Sequence, residues 1–198
     1  MQFKVFEPGI QVSGASLGAI VEGFRKYPTV AAKYLTRHGL VKSVAGKPAD
    51  IDRDGWYPLE DWLAAYEGIA NEIGLNSLFG IGKSIPENAT FPPHVKDIHS
   101  GISSIDVAYH MNHRKNGTVM FNPETGQMLD GIGHYGYEAA SDDDRIVCVC
   151  HNPYPCDFDR GIITAMATRF QPLARTVHDN DAPCRKSGAD SCTYVVMW

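Results

Sequence analysis

The distribution of cysteine is the feature of this sequence that most constrains its fold. All five cysteines of the 198-residue chain lie between positions 148 and 192. An odd number of cysteines, together with an N-terminus that lacks the apolar core of a signal peptide, argues against a disulfide framework. Their clustering favours one local site, and we expect a cytoplasmic protein whose thiols stay reduced.

Three of the cysteines have the surroundings of metal ligands. Cys156 begins a predicted helix, a position that lowers the pKa of a thiol and favours the thiolate that a metal needs. Cys184 and Cys192 flank a polar turn that can bring both thiolates to one point. Zinc takes four ligands, so we predict a zinc site at these three residues with one further partner. The candidates for that partner are Asp157, Asp181, His151 and His178. The alternative interpretation is three small, buried apolar cysteines.

The remaining two cysteines have the pattern of a buried strand. Cys148 and Cys150 alternate with valines in residues 145–150, as in a strand covered on both faces. Because they are close to Cys156, we keep them, with His151, as further candidate ligands of a metal or of haem.

The C-terminal half resembles a known family. The ending Cys184-Arg185-x-x-Gly188-x-x-x-Cys192, followed by an apolar strand, and the wide spacing back to Cys156 resemble the 4-vinyl reductase domain family. The resemblance covers roughly the C-terminal half. In phenol-sensing activators of that family, three such cysteines and an acidic residue hold zinc beside a pocket for a small aromatic effector. The resemblance therefore implies a sensor domain with a structural zinc and a small apolar or aromatic ligand, which signals to a partner protein or within a homodimer.

A second candidate site lies on the longest predicted helix, residues 94–114. His99, Asp106, His110 and His113 point within a sector of about 60° at about 100° per residue. Histidine and aspartate at such spacings can share a metal, and a single histidine can ligate haem. The alternative is a solvated polar face, which the adjacent Arg114 favours.

This histidine face supports a second function hypothesis, a haem- or iron-binding redox or gas sensor. The sequence has no Cys-x-x-Cys-His motif, which excludes covalent c-type attachment. Haem held without a covalent bond in an aromatic pocket fits the sequence. We expect a pocket between the long helices and the sheet, lined by Tyr109, Trp62 and Phe170.

The element pattern predicts an α+β fold. Helical periodicity dominates the N-terminal half, with Ser13 capping the first helix and Pro28 and Pro58 opening the next two. Short β-rich segments follow the long helix and form an antiparallel sheet, crossed by a helix over 156–170. A polar loop at 42–55 separates an N-terminal helical extension (1–55) from a ligand- and metal-binding domain (56–198), unless the two form one continuous domain. Residues 141–144 are predicted to be a hairpin tip.

Composition excludes several other function classes. The net charge of −5 argues against a general binder of nucleic acid or anionic membranes. No apolar run reaches the ~20 residues that span a bilayer. Residues 80–84 end like a phosphate-binding loop, but Ser77 occupies the position of its first glycine. Since no pattern of a nucleophile with its base stands out, the sequence favours binding over catalysis.

Overall fold

Six helices and two larger antiparallel sheets form the part of the chain that the structure describes. This computed structural model covers residues 2–44, 47–48, 50–87, 89–140 and 144–198. The helices are α1 (Gly14–Gly23), α2 (Pro28–Arg37), α3 (Leu59–Ile73), α4 (Ser77–Glu87), α5 (Ile98–Met111) and α6 (Cys156–Phe170). None of these helices is long and apolar enough to cross a membrane.

The strands divide between a small sheet around the N-terminal strand and a sheet from the second half of the chain. The first contains β1 (Ile10–Ser13), β4 (Trp56–Pro58), β5 (His113–Lys115) and β6 (Thr118–Val119), in the order β4-β1-β5-β6. The second contains β7 (His134–Tyr135), β8 (Glu138–Ala139), β9 (Arg145–His151), β10 (Arg175–His178) and β11 (Cys192–Met197). Its order is β10-β11-β9-β7, and β8 also pairs with β9. The short strands β2 (Ser43–Val44) and β3 (Lys47–Pro48) pair antiparallel with each other.

The predicted α+β class is confirmed. The crossing helix α6 packs against α4, α5, β10 and β11, so it lies between the other long helices and the second sheet. Its approach to α4 requires glycine, because a Cβ atom on Gly82 would lie 2.1 Å from the carbonyl oxygen of Phe158. Apolar residues of α4, α5 and α6 line one common space beside this contact.

Several helix boundaries follow the local signals in the sequence. The Ser13 hydroxyl accepts a hydrogen bond from the backbone N–H of Ser16 at 3.1 Å, which confirms the predicted N-cap of α1. Pro28 begins α2 and Pro58 precedes α3, as predicted. Gly74 ends α3 with a φ of 87°, a conformation that favours glycine.

The predicted end of the long helix is wrong. α5 stops at Met111, because Asn112 caps it and residues 113–115 pair with β1 instead. His113 and Arg114 therefore lie on a strand and leave the predicted helical face. At the other end, Asp97 caps α5 by accepting from the Ser100 backbone N–H at 2.7 Å.

The remaining differences concern loops. α4 contains Pro86 and ends one residue later, at Glu87. The predicted loop at 42–55 contains the β2–β3 hairpin, and residues 45, 46 and 49 lie outside the described residues. The predicted hairpin tip also lies outside them at 141–143. The domain boundary at residue 55 stays a prediction, while β1, which precedes it, pairs with β4 and β5, which both follow it.

Candidate functional site

An apolar cavity lies between α1, α4, α5 and α6. Its empty volume is about 670 Å³, counting an open side that faces solvent. Mostly apolar walls are typical of small-molecule sites. The apolar wall includes Ile20, Ile105, Phe158, Ile162 and Met166. The structure thus contains an apolar pocket beside the long helices.

The predicted wall residues have different positions. Tyr109 lines this cavity, and its hydroxyl donates to the carbonyl oxygen of Ile132 at 2.8 Å. Trp62 does not line it, because its side chain is fully buried in the core and stacks on Tyr66. Phe170 does not line it either, because it lies at the end of α6, against Gly101. The assignment of the last two residues to the pocket wall is therefore corrected.

His113 is the histidine that lines the cavity. Its Nδ1 lies 2.7 Å from the carbonyl oxygen of Tyr109, which can only accept, so the proton is on Nδ1. The Nε2 atom then carries a lone pair, 3.2 Å from the hydroxyl of Tyr154 on the cavity wall. Burial lowers the pKa of His113 to about 4, so the ring is neutral at pH 7. A neutral imidazole whose other nitrogen donates to a carbonyl is the form that binds metals.

The other two predicted histidines lie away from this cavity. His99 has Nδ1 at 2.8 Å from the Tyr137 hydroxyl and packs against the ring of Trp198. His110 is fully buried, and its Nδ1 lies 2.9 Å from the carbonyl oxygen of Asp106. The predicted histidine face therefore separates into three environments.

Asp106 and His110 form a second small cluster with a residue that the sequence did not indicate. The Asp106 carboxylate lies 3.0 Å from Nδ1 of His134 on β7 and accepts from the backbone N–H of Tyr135 at 2.8 Å. The rings of His110 and His134 stack with their centroids 4.8 Å apart. No sequence signal singles out His134, since its approach depends on where β7 crosses α5.

The three predicted metal-ligating cysteines lie together at one end of the second sheet. Cys156 begins α6, Cys184 precedes a 3-10 turn over Arg185–Ser187, and Cys192 begins β11. His178, at the end of β10, completes the group, and the four candidate ligand atoms lie within 4.8 Å of one another. The Nε2 atom of His178 is buried without a hydrogen-bond partner among the described residues.

The other candidates for the fourth ligand are outside this group. Asp157 pairs with Lys186 at 2.6 Å, and His151 stacks on Phe6. The Asp181 backbone N–H donates to Asp179 in an exposed loop. Cys148 and Cys150 are also outside it, with buried side chains on β9; burial raises the pKa of Cys148 to about 12.

The charge state of the thiol cluster is set by hydrogen bonds. The interaction between the Cys156 and Cys192 thiols lowers the pKa of Cys192 and raises the pKa of Cys156. Arg185 adds two donors to the same sulfur, its backbone N–H at 3.3 Å and its Nε–H at 3.5 Å. These contacts favour the thiolate form of Cys192.

A fully buried arginine connects this cluster to the cavity. The Nη1 atom of Arg185 donates to the carbonyl oxygen of Tyr154 at 2.8 Å, and its Nη2 donates to Asp159. Asp159 also accepts from the hydroxyl of Tyr135 at 2.6 Å, and both tyrosines line the cavity. Burial alone would lower the pKa of Arg185, but the Asp159 carboxylate raises it, so the guanidinium stays charged. The sequence did not predict this role of Arg185. The only signal was that Arg185 follows Cys184 in the C-terminal cysteine pattern.

Comparison with known proteins identifies the fold. No family model matches the chain, and no curated protein matches it, so the resemblance to the 4-vinyl reductase family stays a prediction. An H-NOX protein from S. oneidensis in the Fe(II)NO state is 13% identical, with a TM-score of 0.61 over 93% of this chain and 97% of that chain.

Two further solved structures have the same fold. An Fe(II) unliganded H-NOX variant from K. algicida is 12% identical, with a TM-score of 0.56 over 93% of this chain and 95% of that one. An H-NOX variant from T. tengcongensis is also 12% identical, with a TM-score of 0.52 over 90% and 92%. At these identities the likeness concerns the fold, and the described part of this chain has the fold of H-NOX proteins.

Proposed function

We propose that this chain is a sensor domain that holds haem in its apolar cavity, with His113 as the protein ligand of the iron. The observation that carries the proposal is a neutral histidine whose Nε2 lone pair lies at the wall of an apolar cavity. The solved structures that share its fold include an H-NOX protein in an Fe(II)NO state and a protein from a study of haem redox potential. Haem, when bound, would supply an iron atom that can take a small gas.

The residues of the cavity fit the parts of a porphyrin. Ile105, Phe158 and Met166 offer apolar surface to its faces and exclude water from the iron. Tyr109 fixes the ring of His113 by accepting from Nδ1, which keeps the lone pair on Nε2. The open side of the cavity gives the two porphyrin carboxylates access to water, where their charges cost least.

One observation favours a second function, a sensor that binds a small apolar or aromatic molecule directly. No lysine or arginine is among the described residues that line the cavity, so the porphyrin carboxylates would have no basic partner there. In this alternative His113 and Tyr154 together recognise one polar group on an otherwise apolar ligand. A signalling partner or a homodimer belongs to either alternative and stays a prediction.

A titration of the metal-free chain with haemin under reducing conditions separates the two functions. We expect one haem per chain with a shifted Soret band, loss of the histidine-ligated spectrum in His113→Ala, and its return on adding imidazole. The matched control is His99→Ala, which removes a histidine outside the cavity. Failure of the wild-type chain to bind haem would exclude the haem proposal and leave direct binding of an organic molecule. An unchanged spectrum in His113→Ala would exclude His113 as the ligand.

We also propose that the thiol cluster binds a structural zinc through Cys156, His178, Cys184 and Cys192. Zinc–sulfur bonds of about 2.3 Å in a tetrahedron place two sulfurs about 3.8 Å apart. The sulfur atoms of Cys184 and Cys192 are 3.8 Å apart. The buried, unpartnered Nε2 of His178 supports it as the fourth ligand. Such a zinc would tie the start of α6 to β10 and β11.

Elemental analysis and cobalt substitution test this zinc site. We expect about one zinc per chain and, with Co²⁺, the charge-transfer absorption of a tetrahedral thiolate complex. His178→Ala should weaken metal binding by at least about tenfold, whereas the matched variant His151→Ala should not. Equal metal content in both variants would exclude His178, and a metal-free wild-type chain would exclude the site.

A further inference from the structure

The cavity and the thiol cluster are connected by one buried hydrogen-bond network. Arg185 donates to the Cys192 sulfur through Nε at 3.5 Å and to the Tyr154 carbonyl oxygen through Nη1 at 2.8 Å. Its Nη2 donates to Asp159, which accepts from the Tyr135 hydroxyl at 2.6 Å. Two cavity-wall tyrosines are therefore linked to one cluster sulfur through a single guanidinium.

The burial of this guanidinium leaves its donors no alternative partner in solvent. The side chains of Arg185 and Asp159 expose no surface, so a donor that loses its acceptor cannot turn to water. The guanidinium is planar and rigid, so a displacement of Nε displaces both Nη atoms with it. A change in what Cys192 accepts is for this reason transmitted to Asp159 and to the backbone of Tyr154.

Two arms of the network end at residues that a cavity ligand would contact, while Nη1 of Arg185 also donates to Oδ1 of Asn152 at 2.6 Å, outside the cavity wall. The Tyr135 ring lines the cavity, and its hydroxyl is held by Asp159. The Tyr154 hydroxyl lies 3.2 Å from Nε2 of His113, the nitrogen that faces the same space. Tyr109 provides a natural contrast, because its hydroxyl donates to Ile132, outside the network.

We propose that Arg185 couples the thiol cluster to the cavity, so that metal binding at the cysteines changes the affinity of the cavity for its ligand. Metal binding would take one lone pair of Cys192, weaken the hydrogen bonds that Arg185 donates to this sulfur and shift the guanidinium toward Asp159 and Tyr154. By thermodynamic linkage, a ligand in the cavity changes the metal affinity by the same factor. Arg185 is a positioning residue here, and the inference rests on the two proposed sites.

The experiment measures the affinity of the cavity for one probe in zinc-loaded and zinc-free protein. The probe is haemin, or 1-anilinonaphthalene-8-sulfonate if haemin does not bind. If the chain takes up no zinc, protein with its cluster thiols blocked as methyl disulfides replaces one of the two states. If haem or zinc does not bind, the titration with that group shows it directly. The substitute probe or the blocked thiols still allow the coupling to be measured.

We expect the wild-type affinity to differ by at least about fivefold between the two states. Tyr135→Phe, which removes only the hydroxyl bound to Asp159, should reduce that ratio. Tyr109→Phe should keep the wild-type ratio whatever its absolute affinity. Arg185→Lys, compared at a temperature where it is folded, should bring the ratio to about one, because an ammonium cannot bridge the acceptors.

Two outcomes would overturn the proposal. Equal probe affinity in the two states of the wild-type chain would show that the sites are independent. An equal loss of the ratio in Tyr135→Phe and Tyr109→Phe would show that the network does not carry the coupling. The reciprocal measurement, zinc affinity with and without the probe, must give the same ratio as the probe affinities.

Discussion

The guanidinium of Arg185 donates to the carboxylate of Asp159 in an ion pair that exposes no surface on either side. Taking two charges out of water is costly, and the pair is stable only when its remaining donors and acceptors are satisfied. Asp159 meets this condition by accepting also from Tyr135 and from Nδ2 of Asn152 at 3.0 Å. The pair therefore organises the region between cavity and thiol cluster.

Removal of one partner of this pair should be strongly destabilising. Asp159→Ala leaves the Arg185 charge buried without its counter-ion, and we expect a loss of about 3–5 kcal/mol of unfolding free energy. Urea denaturation followed by circular dichroism measures it. The control is Glu72→Ala, which breaks the exposed pair with Lys33 and should not change the unfolding midpoint measurably. Similar midpoints for the two variants would contradict the structural role of the buried pair.

The packing of α4 on α6 makes a prediction about two glycines of the same helix. Gly82→Ala would place its Cβ 2.1 Å from the Phe158 carbonyl oxygen, so the helices must separate, at a cost of about 1–3 kcal/mol or more. Gly80→Ala meets no atom within 4 Å and should stabilise α4 by about 0.5–1 kcal/mol. Thermal unfolding of the two variants checks the opposite signs. A shift in the same direction for both would contradict the close contact.

Metal removal makes a third prediction, for stability. A ligand that binds only the folded chain at about 100 times its Kd adds about 2.7 kcal/mol to the unfolding free energy. A strong chelator should therefore lower the unfolding temperature of the wild-type chain. The unfolding temperature of Cys184→Ser should already be low without the chelator, and the chelator should change it little. Scanning calorimetry measures both unfolding temperatures. If the chelator lowered them by the same amount in both proteins, metal binding at the thiol cluster would not be what stabilises the fold.

Local sequence signals predicted the three cysteines of the cluster but did not single out His178 as its fourth member. Cys184 and Cys192 are close because a short turn joins them, which their spacing alone indicates. His178 reaches them because β10 pairs with β11, so that His178 lies opposite Tyr194. Strand register of this kind depends on the whole sheet, and the sequence left His178 as one of four candidates.

The position of His113 at the cavity also depends on strand pairing that local sequence signals do not predict. The helical pattern continued through His113, yet the chain leaves the helix at Asn112, and that departure brings the His113 ring to the cavity. Pairing with β1, about a hundred residues earlier in the chain, determines this turn. Tyr135, Tyr154 and Asp159 meet for a similar reason, since three separate elements converge on Arg185.

The buried histidine of the cavity makes a prediction for the pH dependence of stability. Burial lowers the pKa of His113 from 6.5 to about 4, so between these values the unfolded chain binds a proton that the folded chain rejects. Its contribution is therefore complete above pH 6.5 and is lost as pH falls toward 4. For the haem-free wild-type chain, we expect a loss of about 2 kcal/mol from this residue between pH 7 and pH 5.

The comparison of variants isolates this contribution from other titrating groups. In His113→Asn the amide can still donate to the Tyr109 carbonyl oxygen but does not titrate, so its unfolding free energy should fall less between pH 7 and pH 5 than that of the wild-type chain. His99→Asn, which alters a partly exposed histidine outside the cavity, should keep the wild-type slope. Urea denaturation at the two pH values measures both differences. A wild-type slope in His113→Asn would mean that His113 is protonated as easily in the folded chain as in the unfolded one, and would contradict the burial of a neutral ring at the cavity wall.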